Sequence, residues 1–442
     1  MRGTPRRELS LFDSTCLIVG IIIGAGIYQM APDIAKGTYS WWGFLAIWSV
    51  GGALSLCGAF GYAELATAYP QEGGDYVYLN RAYGRWAGFL FGWVQLVIVR
   101  PGDIVVVAFA FATYARTIWD PFASTVFPYG QQFYAAAAVV VLTLINIAGV
   151  REGKWTQNLL ATVKALGLLV IVGVALFFGS QTSPEPQEFD RKPLSVALIF
   201  VLFTFGGWNE MAYVAAEVKN PRRNIVRALV IGTTTVTVLY LLVNAAFLYT
   251  LGYSGVATSQ AVATDTVSAA FPSVGGRLVS ALICLSALGA VNGLIFTGAR
   301  ISYAVGAEHR LFRLLGRWHP GTGTPAGALV VQAAIALALI ALLGSFVDTI
   351  LYTAAAVYSF YLATSVALIV LRVREPAVER PYRATGYPVT TLIFCAVCAF
   401  LIYRTVTYKP CIAAASCALL LLGLPVYWLS KRLSAGDATP PG

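Results

Sequence analysis

The sequence predicts an all-α integral membrane protein that crosses the bilayer twelve times. Hydrophobic residues make up 58% of the 442 residues and charged residues only 11%, whereas a soluble domain carries about 25% charged residues. Apolar runs of about 20 residues, enough to cross a hydrocarbon core about 30 Å thick, recur along the whole chain. Lysine and arginine gather in every second segment between these runs. The low charge and the repeated apolar runs exclude a soluble fold.

Charged, glycine and proline residues divide these runs into twelve predicted spans. The spans cover residues 13–35, 42–66, 86–118, 131–149, 155–179, 194–217, 225–251, 276–305, 325–343, 347–372, 387–406 and 410–430. The third and eighth are long enough to tilt or to extend beyond the bilayer. The connecting segments 67–85 and 258–274 are predicted to hold an interfacial helix and a short lid helix, residues 180–193 an external loop and 434–442 a disordered tail. We read the first apolar run as span 1 and not as a cleaved signal peptide.

The basic residues predict the orientation of the chain, because lysine and arginine favour cytoplasmic loops. One alternate set of segments holds Arg2, Arg6, Arg7, Arg81, Arg85, Arg151, Lys154, Lys219, Arg222, Arg223, Arg227, Arg310, Arg313, Arg317, Arg372, Arg374, Arg380, Arg383, Lys431 and Arg432. We therefore expect both termini in the cytoplasm and the protein in a plasma membrane or bacterial inner membrane. The net charge of +10 is then a topology signal, and no nucleic-acid partner is expected.

Two spans are interrupted by glycine at corresponding places in the two halves of the chain. Span 1 contains Gly24 and Gly26, and span 6 contains Gly206 and Gly207. Glycine weakens a helix, and lipid offers no hydrogen-bond partner for freed backbone groups. A matched pair of breaks therefore indicates the midplane binding site of a secondary transporter. For span 1 alone, helix packing through Gly20 and Gly24 is an open alternative.

The positions of the breaks predict an inverted repeat. If each break lies in the first of five spans, the two sets of five have opposite orientations, because five is odd. The predicted units are the N-terminus 1–12, repeat 1 at 13–180, repeat 2 at 181–373, two further spans at 374–430 and the tail 431–442.

The breaks favour a zwitterionic ligand. A half-helix that begins near Gly26 presents free N–H groups and a positive dipole end to a carboxylate. A half-helix that ends near Ile22 presents free carbonyl groups to an ammonium group. In span 6, carbonyl groups near Phe203 and Thr204 can complete the ammonium site, and Asn209 can reach the ligand. An amino acid has both charged groups on one carbon and is the ligand we expect.

Motifs around these breaks resemble one family. Residues 24–27 resemble the first-span break of the amino acid–polyamine–organocation (APC) superfamily, and residues 203–209 with 217–224 resemble the sixth span of its L-type amino acid transporters. Residues 100–114, 286–300 and 69–76 resemble their third span, eighth span and first cytoplasmic loop. These motifs occur in the same order along the chain as in the family.

The resemblance implies the leucine transporter fold: a five-plus-five inverted repeat with helices 1 and 6 unwound, plus two C-terminal helices. It implies a permease that works by alternating access. Its implied substrate contacts are the backbone of Ile21, Ile22, Gly24, Ala25 and Gly26, with Phe203, Thr204, Gly206 and Asn209. Phe203 is also the implied gate over the bound amino acid.

Lys164 lies in the middle of span 5, too far from either end to snorkel to the interface. A buried ammonium group needs acceptors, and carbonyl groups freed by the break in span 1 are candidates. In the resembling family, a lysine here occupies the place where relatives bind sodium, which implies a sodium-independent carrier. Whether Lys164 exchanges a proton or only stabilises a conformation stays open.

Other charged residues predict ion pairs. Arg100 and Asp103 are three residues apart on one face of span 3, where they either pair or line a pathway. Glu64 is expected to anchor an internal gate or a loop. Glu217 is expected to form a cytoplasmic charge network with Arg222, Arg223 and Arg227.

The residues of span 8 predict the substrate pocket. Asn292 is expected to contact the substrate, and the small residues Ala287, Gly289 and Gly293 predict a roomy, mostly apolar pocket. We therefore expect neutral L-amino acids, large or apolar, carried by exchange (antiport) or with a proton. If Glu210 faces the pocket and not another helix, the alternative is a cationic amino acid or polyamine carrier. A membrane amino acid sensor on the same fold is an alternative of another class.

Several other classes lack their characteristic residues. The only histidines, His309 and His319, lie in one loop, and Cys395 and Cys398 have no second pair, so neither a metal site nor an enzyme is expected. No glycine-rich phosphate loop is present, and no cofactor is expected. Some eukaryotic L-type members bind a heavy chain through a cysteine between spans 3 and 4. The segment 119–131 has no cysteine, so we expect no such partner.

Overall fold

The computed structural model describes residues 7–121, 129–179, 189–272, 275–342, 346–408 and 410–435. These ranges leave out parts of four predicted features. They are the external loop (180–188), the segment without cysteine between spans 3 and 4 (122–128), the division between spans 9 and 10 (343–345) and the tail (436–442). The described α-helices are α1 (Leu11–Ile22), α2 (Gly26–Gln29), α3 (Ala31–Lys36), α4 (Trp41–Ala68), α5 (Asp75–Tyr83), α6 (Arg85–Val94), α7 (Arg100–Ile118), α8 (Gly130–Ala148), α9 (Val150–Phe178), α10 (Leu194–Thr204), α11 (Pro221–Thr258), α12 (Val262–Ala270), α13 (Gly275–Glu308), α14 (Ala326–Leu342), α15 (Phe346–Arg374), α16 (Val389–Tyr408) and α17 (Pro410–Ala435). Trp208–Glu217 and Arg310–Phe312 are 3₁₀ helices, and Gln95–Val99 is a π-helix that joins α6 to α7.

The predicted all-α membrane class is confirmed. Within the described ranges, ten helical stretches are long and apolar enough to cross a bilayer, and the shorter apolar helix α14 lies at the predicted span 9. Helix α17 lies at the predicted span 12. The two connecting segments in which short helices are predicted contain α5 and α12.

Both predicted breaks are present. Helix α1 starts with a capping box, in which Ser10 and Asp13 exchange side-chain-to-backbone hydrogen bonds, and it ends at Ile22. The chain then bends over three residues before α2 starts at Gly26. In span 6, α10 ends at Thr204 and a 3₁₀ helix starts at Trp208. Between them Gly207 has a φ of 108°, a conformation that L residues with a side chain rarely adopt.

Equivalent spans of the two sets of five pack against each other. Helix α4 (span 2) contacts α11 (span 7), α7 (span 3) contacts α13 (span 8), and α8 (span 4) contacts α14 (span 9). Helix α1 (span 1) likewise contacts the 3₁₀ helix of span 6. Such pairing of equivalents is expected when two inverted repeats face each other across a pseudo-two-fold axis. The packing brings the two breaks together in the centre of the bundle.

Candidate functional site

A cavity of about 160 Å³ separates the two broken helices from spans 3, 8 and 10. An apolar cavity of about 150 Å³ holds a benzene molecule, so the space admits a small organic ligand. Its lining includes the predicted residues Ile21, Ile22, Gly24, Ala25, Gly26, Phe203, Thr204, Gly206 and Asn209. The tertiary structure therefore brings together two sequence segments that are about 180 residues apart.

Backbone donors at the start of α2 are free to bind an anion. Within the described ranges, no protein group accepts a hydrogen bond from the N–H groups of Ala25, Gly26 or Ile27. Unpaired N–H groups at such a point are a favourable place for a carboxylate. The unpaired donors support the carboxylate site that the sequence predicts at this break.

The carbonyl groups at the end of α1 differ in their availability. The Ile22 carbonyl already accepts hydrogen bonds from Gly24 N at 2.8 Å and from the Tyr240 hydroxyl at 2.8 Å. The Ile21 carbonyl has no partner among the described residues. Among the described residues, the Thr204 carbonyl at the end of α10 accepts only from the same Tyr240 hydroxyl, at 3.3 Å. Ile21 and Thr204 are thus better placed than Ile22 to receive an ammonium group.

Lys164 binds carbonyl groups, as its position in the sequence predicts. Its Nζ donates to the carbonyls of Gly20, Ile23 (2.6 Å) and Ser286 (2.9 Å), and the side chain is fully buried. The Ile23 carbonyl belongs to the break itself and also accepts from the Ser286 hydroxyl at 3.0 Å. The ammonium group therefore joins α9 to the break in span 1 and to α13.

Arg100 does not pair with Asp103. Its Nη2 donates to Glu210 Oε1 at 2.7 Å, and its guanidinium lies 5.1 Å from the centre of the Tyr213 ring. Arg100, Asp103 and Glu210 all line the cavity. The spacing on one helical face allowed an Arg100–Asp103 pair, but the long arginine side chain instead reaches span 6. Glu210 thus faces the cavity and has its charge compensated across it.

Asn292 was expected to contact the substrate, and the structure places it elsewhere. Its Nδ2 donates to Gln157 Oε1 at 2.9 Å, and its Oδ1 accepts from Asn146 Nδ2 at 2.8 Å. Asn292 faces α8 and α9, whereas Ala290 and Leu294 of the same helix line the cavity. A step of two residues on an α-helix turns a side chain by about 200°, which accounts for this error.

The predicted charge network around Glu217 has different partners. Glu217 accepts from Arg300 Nε at 2.7 Å and from Arg300 Nη2 at 3.2 Å, and both side chains are buried. Arg222, one of the three arginines expected to bind Glu217, pairs with Glu379. Glu64 does anchor a loop, because its carboxylate accepts from Ala384 N at 2.7 Å.

The Glu64 carboxylate also binds Arg372 and Arg380. Leu9 forms two backbone hydrogen bonds that flank the end of span 6. We name this side of the bundle, where Leu9, Glu64 and Glu217 lie, the N-terminal face. At this face one ion pair joins span 2 to span 10, and another joins span 6 to span 8.

A cluster of hydroxyl groups that the sequence does not predict adjoins the cavity. The hydroxyl groups of Tyr62, Tyr213 and Thr364 donate to the carboxylate of Asp75, which lies on α5 outside the spans. Asn209 Nδ2 donates to the Tyr213 hydroxyl at 2.7 Å, so the cluster reaches the cavity wall. Its members come from spans 2, 6 and 10 and from a loop helix, and no local motif connects them.

Burial raises the pKa of the Asp75 carboxyl to about 6 from its usual value near 4, although three hydroxyl donors oppose the shift. The pKa of Asp75 is higher in the folded protein than in the unfolded chain, so protonation of Asp75 favours the folded state. This contribution is complete below about pH 4 and is lost as the pH rises through about 6. Two pKa units correspond to roughly 3 kcal/mol as an order of magnitude.

We expect the thermal midpoint of the detergent-solubilised protein to fall between about pH 4.5 and about pH 7, and to fall less in Asp75→Asn. The difference between the two proteins isolates Asp75 from the other titrating groups. Asp265→Asn, at an exposed carboxylate bound by Ser259, serves as the control and should follow the wild type. Equal pH dependence in Asp75→Asn and the wild type would contradict the assignment.

Comparison with known proteins identifies the family. A family model described as amino acid permease matches residues 9–421. The chain belongs to this family. As a permease of this family it is a multi-pass membrane transporter and not an enzyme.

Curated relatives of the permease cover nearly its whole length. The b(0,+)-type amino acid transporter 1 of Mus musculus is 31% identical over 96% of this chain and 88% of its own. The b(0,+)-type amino acid transporter 1 of Homo sapiens is 30% identical over 98% and 90%. The large neutral amino acids transporter small subunit 2 of Rattus norvegicus is 31% identical over 96% and 80%. The relatives are amino acid transporters, and the permease shares their family and fold class.

Proposed function

We propose that this permease carries neutral L-amino acids by alternating access, without sodium and by exchange or with a proton. The observation that carries the proposal is the pair of broken helices around one cavity. The N–H groups of Ala25, Gly26 and Ile27 and the carbonyl of Ile21 have no hydrogen-bond partner among the described residues. These groups match the carboxylate and ammonium groups that all α-amino acids share. Phe203 also lines the cavity and is proposed as the gate.

Two features support large neutral side chains. The Arg100–Glu210 pair compensates its own charges, and most of the remaining cavity wall is apolar. One relative is named a large neutral amino acids transporter. An acidic substrate would need a free cationic group in the wall, and Arg100 already binds Glu210.

Lys164 supports sodium independence. Its ammonium group binds three carbonyl oxygens from spans 1 and 8, the kind of ligand that a sodium ion would need. We further propose that the N-terminal face is cytoplasmic, because most loop lysines and arginines lie on that side of the sequence-predicted topology. A plasma or bacterial inner membrane and transport without a disulfide-linked heavy chain complete the proposal.

Counterflow into proteoliposomes preloaded with unlabelled leucine tests the function. Labelled leucine should accumulate with saturation and at equal rates with sodium or choline outside. Binding without any uptake would favour a sensor and overturn the carrier proposal.

Lys164→Ala removes one donor to three carbonyl groups, of which Ile23 keeps the Ser286 hydroxyl. The counterflow rate should fall at least about tenfold, because each buried carbonyl left without a partner costs about 1–3 kcal/mol. Lys154→Ala, at a lysine on the same helix that is 23% exposed and pairs with Asp13 outside the cavity, is the matched control and should retain uptake. If Lys164→Ala transported like the wild type, Lys164 would have no role in the cycle.

A further inference from the structure

Asp103 is a cavity carboxyl group that shares its neighbouring cation, Arg100, with Glu210, and Arg100 forms its ion pair with Glu210. It lies on α7 one turn after Arg100, lines the cavity and is partly exposed to it. Arg100 is oriented towards Glu210, and within the described ranges no group forms a hydrogen bond or a salt bridge with the side-chain carboxylate of Asp103. The function proposed above gives no task to this group.

The surroundings of Asp103 offer it no other positive charge. The charged and titratable groups that line the same cavity are Arg100 of the same helix, Glu210 and Tyr213 of span 6, and Tyr358 and Tyr361 of span 10. Helices α8 and α14, which pack against α7, contain no charged residue. On α13, Arg300 binds Glu217, and Arg277 and Glu308 lie near the two ends of the helix. Helix α15 also packs against α7, and of its arginines Arg372 binds Glu64 and Arg374 donates to the Ala82 carbonyl. On α6, Arg85 lies at the end of the helix, and the π-helix Gln95–Val99 carries no charge.

An ionised Asp103 therefore leaves the cavity wall with one net negative charge, since Arg100 and Glu210 cancel. An uncompensated charge inside a membrane protein is costly and is relieved either by a proton or by a cationic ligand. The cavity is the side from which either can arrive, because the carboxyl group is exposed there.

We propose that Asp103 is the counter-charge site of the cavity: it binds a proton when a neutral amino acid is carried and the cationic side-chain end of a dibasic amino acid when that is carried. This inference rests on the proposed amino acid transport. The α-carboxylate and α-ammonium groups remain at the two breaks in both cases, and only the occupant of Asp103 differs. A proton is taken from water when the neutral substrate is loaded and returns to water on the other side when it is released.

The two kinds of substrate bring the same charge to the carrier. Both loaded forms of the carrier bear one more positive charge than the empty form with ionised Asp103. A neutral substrate and a dibasic one should therefore compete for a single site, and their uptake should respond oppositely to acid pH on the loading side. Acid pH favours the neutral substrate by supplying its proton and disfavours the dibasic one, since the proton competes with it.

The test uses the full-length protein in proteoliposomes, with labelled leucine and labelled lysine as the two probes. In the wild type, an inward proton gradient should stimulate leucine uptake and reduce lysine uptake, and each substrate should inhibit the other. In Asp103→Asn, leucine uptake should persist but lose its response to the gradient, and lysine uptake should fall at least about tenfold, the effect of about 1.4 kcal/mol. Asp265→Asn removes an exposed carboxylate outside the cavity and should match the wild type.

The outcomes separate this inference from the proposed function. No saturable uptake of either probe by the wild type would overturn the transport function itself. Leucine uptake without competition by lysine would overturn the counter-charge site alone. Unchanged pH response and unchanged lysine uptake in Asp103→Asn would do the same. Loss of leucine uptake in a variant that remains folded, as judged by its thermal midpoint, would place Asp103 in the α-ammonium site and also overturn the inference.

Discussion

Replacing Gly24 with valine is expected to raise the half-saturation concentration for amino acid uptake about 5- to 150-fold and to leave the permease folded. A Cβ atom at Gly24 would have as its nearest neighbours only Ala290 Cβ and the Ile21 carbonyl oxygen, both at 3.9 Å. Because Gly24 lines the cavity, the added side chain would occupy the space in which the ligand contacts the backbone. Forcing extra atoms into a filled site costs about 1–3 kcal/mol, so affinity should fall about 5- to 150-fold.

The other break glycines make poorer tests, because their side-chain positions meet protein. A Cβ atom at Gly26 would lie 3.2 Å from Thr204 Oγ1, and at Gly207, with φ 108°, it would lie 2.6 Å from Ile21 Cγ2. Substitution there changes the packing of span 1 on span 6 as well as any ligand contact. Gly173→Val is the matched control, since a Cβ atom on that glycine of α9 has no heavy atom within 4 Å. If the half-saturation concentration of Gly24→Val equalled that of Gly173→Val, the break in span 1 would not contact the substrate.

Breaking the Arg100–Glu210 pair is expected to destabilise the protein strongly. Both side chains are buried, so Arg100→Leu leaves the Glu210 carboxylate without its cation and beside a second carboxyl group, Asp103. Removing one partner of a buried ion pair typically costs about 3–5 kcal/mol. The pair is also incompletely bonded: Glu210 Oε2 and Arg100 Nη1 have no hydrogen-bond partner among the described residues. The double variant Arg100→Leu/Glu210→Leu should therefore recover most of the loss, because apolar replacements of buried pairs are often neutral.

A double-mutant cycle on the free energy of unfolding in detergent measures this coupling. The pair Arg222–Glu379 is the control, because its N–O distance is also 2.7 Å but its side chains are 65% and 67% exposed. Exposed pairs contribute about 0–1 kcal/mol, so that cycle should show little coupling. Additive effects of the Arg100 and Glu210 substitutions would mean that the two charges do not stabilise each other in solution.

The sequence was sufficient for those features that depend on local composition. Span length follows from the thickness of the bilayer, and the two helix breaks follow from Gly24, Gly26, Gly206 and Gly207, so both agree with the structure. Lys164 was also assigned correctly to carbonyl acceptors, because a buried ammonium group without acid residues nearby in sequence has few other partners. Motif resemblance supplied the family, which the comparisons confirm.

The tertiary structure alone decided which side chains meet. Arg100 binds Glu210 across 110 positions of sequence, Glu217 binds Arg300 across 83, and Asn292 faces span 5 and not the cavity. These outcomes depend on the rotation of each helix about its axis, and in a helix that is apolar nearly all round no polar stripe reveals that rotation. Packing against several neighbours sets it, and it leaves Asp103 as the carboxyl group that faces the cavity without a partner among the described residues.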